Sequence, residues 1–123
     1  MTLDDLSLFH QATGLRLPQE ITEIDPIDPL LELDVQRLIQ INLDVRRPGG
    51  SWIGSEGGPW PDEHVVIGED GCGDFFTVKY AEGFSPSLPH ADTMVWRYNH
   101  DWGRMEEFCK NLEEFSIYAR DCQ

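Results

Sequence analysis

The chain has 123 residues, 40% hydrophobic and 11% aromatic, the size of one compact domain with apolar material enough for a real core. That composition excludes a disordered acidic tail, and the absence of any long apolar run excludes a membrane-spanning helix. Acids outnumber bases 23 to 9, a formal charge of −14, and a field of that sign repels nucleic-acid phosphates and anionic lipid surfaces.

The excess is spread along the chain: residues 1–61 carry ten acids and four bases, residues 62–123 thirteen and five. Such a surface speeds association with a basic protein; the plainer reading is solubility. Cys72, Cys109 and Cys122 are odd in number and form no CxxC, which reads as reduced thiols in a reducing compartment. His10, His64, His90 and His100 are too scattered for a structural zinc site. Met1-Thr2-Leu3-Asp4-Asp5 lacks the basic and apolar regions of a secretory signal. The expectation is a soluble cytoplasmic protein without cofactor or metal, monomeric or weakly dimeric.

Thr2 and Asp5 form a capping-box pattern before Leu3, Leu6 and Phe9, and Gly14 is a natural helix stop. Leu17-Pro18-Gln19-Glu20 reads as a second helix start, and Asp25-Pro26-Ile27-Asp28-Pro29 as a rigid connector. A short strand at Leu30–Leu33 is expected next. Asp34 then caps a stretch whose Val35, Leu38, Ile39 and Leu43 suit a helix, while Ile41, Leu43 and Val45 also alternate as a strand would. Helix is the favoured reading over 30–47, given Gln36, Arg37, Gln40 and Arg46. Residues 48–61 hold five glycines and three prolines and form a loop, whose Trp52 and Trp60 either plug the core or present a contact surface.

The second half reads as sheet. His64–Gly68, Asp74–Tyr80 and Met94–Asn99 are strands, the first two joined by the glycine-rich Glu69-Asp70-Gly71-Cys72-Gly73 turn. The linker 81–93 follows the second strand. Asn111 and Glu114 form a capping box for a closing helix with Leu112, Phe115 and Ala119 inward; Met105, Phe108 and Cys109 extend that face if Arg104–Lys110 is helical too.

No catalytic motif emerges. Glu69, Asp70 and Asp74 crowd one turn, but the twelfth position from Asp70 is Ala81, not the bidentate acid of a calcium loop. The glycines make a turn whose carboxylates accept its backbone N–H groups. Cys72 with His100 and Asp101 would be a nucleophile, base and orienter; the simpler reading is a turn-packed thiol. Gly68, Gly71 and Gly73 have the wrong spacing for a phosphate loop.

Trp60-Pro61, His64-Val65-Val66-Ile67-Gly68-Glu69-Asp70-Gly71-Cys72-Gly73-Asp74-Phe75-Phe76 resembles the central signature of the SUKH superfamily. Val95-Trp96-Arg97-Tyr98-Asn99-His100-Asp101 is similar to its later strand with a His-acid pair, Asn111-Leu112-Glu113-Glu114-Phe115 to its closing helix start, and Leu17-Pro18 to its N-terminal element. Gln19–Asp28 lacks the aromatic, apolar patch and Asn-Gly turn usual there, and Cys72 falls on the variable position of the motif. The resemblance spans about residues 15–118. It implies one α+β domain: a twisted, mostly antiparallel sheet with helices from both chain ends packed on one side. It also implies a non-enzymatic immunity protein that binds and occludes a cognate toxin domain, or, as in fungal relatives, a regulatory scaffold.

For such a protein the expected partner is a basic, nuclease-type toxin domain, and binding energy concentrates in aromatic anchors ringed by polar groups. The expected contact residues are Trp52 and Trp60 with the neighbouring acids Glu56, Asp62, Glu63, Glu69, Asp70 and Asp74.

Overall fold

The computed structural model describes residues 2–17, 21, 34–50, 52, 58–70, 73–79 and 94–121. Within them the elements run α1 (Leu3–Thr13), α2 (Val35–Val45), β1 (His64–Glu69), β2 (Phe75–Lys79), β3 (Val95–Asn99), β4 (Arg104–Cys109) and α3 (Leu112–Asp121). The strands form one antiparallel sheet in the order β1-β2-β3-β4. This is the expected α+β class. No helix among the described residues is long and apolar enough to cross a membrane.

The helix ends follow their sequence signals. The Thr2 hydroxyl accepts from the Asp5 N–H at 3.2 Å, and the Asp5 carboxylate accepts from the Thr2 N–H at 3.0 Å; Gly14 closes α1 in the left-handed region. Asp34 accepts from the Gln36 N–H at 3.0 Å and starts α2. Helix wins over strand at 35–45 because Leu38, Ile41, Asn42 and Val45 then share a buried face, while Leu43 points outward. Asn111 accepts from the Glu114 N–H at 2.8 Å and caps α3, which buries Leu112 and Phe115.

Residues 104–109 are a strand, not an extension of the last helix. Gly103 turns the chain with φ 60°, its N–H on the Asn99 carbonyl at 2.8 Å, and β4 returns along β3. A bulge explains the ambiguous pattern. Val95 pairs with Cys109 and Trp96 with Glu107, leaving Phe108 as an extra residue, so Phe108 and Cys109 pack into the same core, which breaks the alternation a strand would advertise. The readings at 18–20, 25–33 and 81–93, and that of Gly71 and Cys72, lie outside the described residues.

Both sheet faces are covered. On one, Val65, Ile67, Phe76, Val78, Val95 and Cys109 meet Phe9 of α1, Leu38 and Ile39 of α2, and Leu112 and Phe115 of α3. On the other, Val66 and Tyr98 meet Ile41, Val45 and Trp60, with Trp52, Phe75 and Met105 against them.

One polar side chain seals the outer edge of β1. The buried Asn42 amide donates to the Val66 carbonyl at 3.0 Å and its oxygen accepts from the Val66 N–H at 2.9 Å, as a neighbouring strand would. Its other capacity goes to the Leu38 carbonyl and Arg46. Arg46 in turn donates to the carbonyls of His64 at 2.6 Å and Asp62 at 3.2 Å; burial pushes its pKa down to about 10, so it stays charged. Asn42→Ala should therefore destabilise by on the order of 1–3 kcal/mol, the cost of stranding buried backbone groups. A denaturant midpoint unchanged in this variant would contradict that role.

Candidate protein-docking end of the sheet

The residues expected at the contact surface are not together. Glu56 lies outside the described residues. Asp62 and Glu63 are exposed at the start of β1, Glu63 within 3.6 Å of Lys79. Glu69, Asp70 and Asp74 sit at the other end of that strand, about 17 Å away for a strand of this length. The two tryptophans belong to the covered face between.

Trp60 is 4% exposed and donates its indole N–H to the His64 carbonyl at 2.8 Å. Its ring lies 5.4 Å from Tyr98 and 5.8 Å from Trp52. Trp52 is half-buried, its ring edge-on to Phe75 and Tyr98, and its carbonyl takes the Tyr98 hydroxyl at 2.7 Å. Trp60 as a docking anchor is thereby corrected: it is a core residue with no face left for a partner. Trp52 shares that cluster as a partly exposed member.

Asp74 is corrected as well. It is buried, and each of its oxygens is taken from within the fold. Arg97 grips Oδ2 through Nε at 2.7 Å and Nη2 at 2.6 Å, a two-pronged pairing. Oδ1 accepts from the His100 N–H at 3.0 Å and from His100 Nδ1. Burial alone would raise the Asp74 carboxyl, but the His100 bonds and the Arg97 charge hold it below the usual range. Arg97 also reaches Asp70 at 3.6 Å and lies over the Phe108 ring.

These bonds join two turns. In an antiparallel meander the β1–β2 and β3–β4 connections fall at the same end, and Asp74 ties one to the other. The first turn is closed by the Asp70 N–H on the Asp74 carbonyl and the Asp74 N–H on the Asp70 carboxylate, both at 3.2 Å. Gly73 is needed there twice over. Its φ is +106°, and a Cβ would lie 3.1 Å from the His100 ring. Gly73→Val should cost on the order of 1 kcal/mol or more in stability, read as a fall in melting temperature; an unchanged melt would contradict the turn geometry.

The second turn carries what the sequence reading missed. Trp102 is 69% exposed, the most exposed large apolar side chain among the described residues. It follows Asp101, itself 73% exposed at its side chain, and His100. Glu69, half-exposed and 3.4 Å from Arg37, flanks the first turn. The signal was weak: Gly103 marks a turn after Asn99-His100-Asp101-Trp102, but only the pairing of β4 with β3 makes it a tight connection that leaves the indole outside.

His100 has Nδ1 on Asp74 and Nε2 3.2 Å from Asp101, so neither nitrogen is placed to take a proton from a nucleophile. Cys109 is free and buried, and burial pushes its thiol up to about 11, far from a reactive thiolate. Among the described residues, no group of three or more His, Cys, Asp or Glu is arranged to hold a metal. Compared with protein-family models, curated proteins and solved structures, the chain gives no match in any of the three.

Proposed function

We propose that the protein is a non-catalytic inhibitor that binds and occludes a basic protein partner, as the SUKH-like resemblance of residues 60–76 implies for a nuclease-type toxin domain. The observation that carries the reading is the exposed indole of Trp102 beside Asp101 and the acidic β1–β2 turn. An apolar anchor ringed by charge is how binding energy concentrates at protein interfaces. The net charge of −14 adds long-range attraction for a basic surface and repels nucleic acid. The contact set becomes Trp102 with Asp101, Asp70 and Glu69 in place of Trp60 and Asp74. The setting is the cytoplasm, where the cysteines remain thiols.

The test is whether a toxin domain is encoded beside the gene and whether the protein inhibits it. Stoichiometric addition of the protein should abolish that domain's activity; full activity in excess protein would leave a regulatory scaffold as the better reading. The association rate should fall severalfold as the screening length drops from about 10 Å at 0.1 M salt to about 3 Å at 1 M, with dissociation changing less. An association rate flat in salt would assign the charge to solubility alone.

A further inference from the structure

The His100 ring lies between the buried Asp74, to which it is hydrogen-bonded, and Asp101, the acid that precedes Trp102. Four charged groups surround this ring: Asp70 and Asp74 from the β1–β2 turn, Arg97 from β3 through its hold on both of those acids, and Asp101 on its own turn. Ionised carboxylates only accept hydrogen bonds; Nδ1 is bonded to Asp74, and Nε2 lies 3.2 Å from Asp101 as an ion pair. Both contacts are attractive together only in the imidazolium, whose added proton sits on Nε2.

We propose that this proton is a latch on the docking end: it ties Asp101 back to His100, and its release frees the Asp101 carboxylate beside Trp102 for a lysine or arginine side chain of the partner. The inference rests on the docking reading above for the nature of that cation.

The order of release follows from the two contacts. Asp74 is buried and is fixed by Arg97 and by the His100 main-chain N–H as well as the ring, so the neutral tautomer keeps its hydrogen on Nδ1. Nε2 is then a lone pair 3.2 Å from the exposed Asp101, and the ion pair between them is lost. Asp101 is otherwise tied to the fold through its main chain, whose N–H donates to the Asn99 side chain at 3.0 Å. The bond to Asp74, and after it the surrounding negative charge of Asp101, Asp74 and Asp70, raise the His100 pKa above its ordinary value. The sign follows: the latch is complete below the ordinary histidine pKa and is lost as pH rises through the raised one. A cation seated on Asp101 opposes the imidazolium, so docking expels the proton, and affinity for a basic partner rises with pH across that window.

The free protein tests the latch by NMR. Over roughly pH 5 to pH 9, a span that brackets the ordinary histidine value, the His100 ring should titrate above an ordinary histidine, and the Trp102 indole N–H resonance should move with the same midpoint. Asp101→Asn should lower the His100 midpoint and uncouple Trp102 from it. A Trp102 resonance unmoved through the His100 titration, or an unchanged midpoint in Asp101→Asn, would overturn the latch. Adding a capped tri-arginine peptide separates this from the docking reading. A peptide that shifts Trp102 and lowers the His100 midpoint supports the competition for Asp101. One that shifts Trp102 but not the midpoint overturns that competition and leaves docking intact. One that leaves Trp102 unmoved counts against docking at this end, while the free-protein titration still decides the latch.

Discussion

Replacing Trp60 by alanine should destabilise the protein by about 3–5 kcal/mol, the range for truncating a large aromatic in a packed core. The indole is buried against Tyr98, Trp52 and Phe75 and is hydrogen-bonded to the His64 carbonyl. Removing it empties the middle of the second core cluster and takes one of the donors that close the β1 edge. Small domains are stable by only about 5–15 kcal/mol, so the loss is a large share of the total. Chemical denaturation of Trp60→Ala reads it directly. A midpoint within error of wild type would restore Trp60 as a surface residue and undo the two-faced packing of the sheet.

Trp102→Ala should behave in the opposite way. With the indole mostly in solvent, its truncation creates no cavity, and the melting temperature should stay near that of the parent. Affinity for a basic partner should fall by about 2 kcal/mol or more, the threshold of an interface hot spot, mostly through faster dissociation. Equal affinity in wild type and Trp102→Ala would remove the anchor. A large loss of stability would mean that the indole packs where the structure places solvent.

The contrast between the two tryptophans marks how far the sequence can be read. Elements announced by local chemistry were legible: the Thr2–Asp5 box, the Asp34 and Asn111 caps and the strands at 64–69, 75–79 and 95–99 each depend on neighbours within a few residues. Arg104–Cys109 was not, because its bulge sets Phe108 and Cys109 on one side of the sheet, and the cause of that bulge is the pairing with β3. The site failed for a similar reason. Proximity in sequence grouped Trp60 with Asp62, Glu63 and the Glu69–Asp74 turn, but a strand carries its two ends far apart. What joins the two turns of the proposed docking end is the pairing of Asp74 with Arg97 and His100, 23 and 26 residues away. Asp74 looked like a surface acid in a glycine-rich turn; the opposite turn makes it a buried clasp. Trp102 was passed over because the turn that exposes it exists only once Arg104–Cys109 is known to pair with β3.

The most direct test of the proposed function is to map the surface on which a cognate toxin domain would dock. In the labelled protein with one equivalent of that domain, backbone amide shifts should change at Glu69, Asp70, Gly73 and His100–Gly103, with the Trp102 indole N–H moving most. Asp62 and Glu63, at the far end of β1, should stay still. Shifts confined to that far end or to α1 and α2, or a spectrum unchanged at stoichiometric toxin, would contradict docking at the clasped turns.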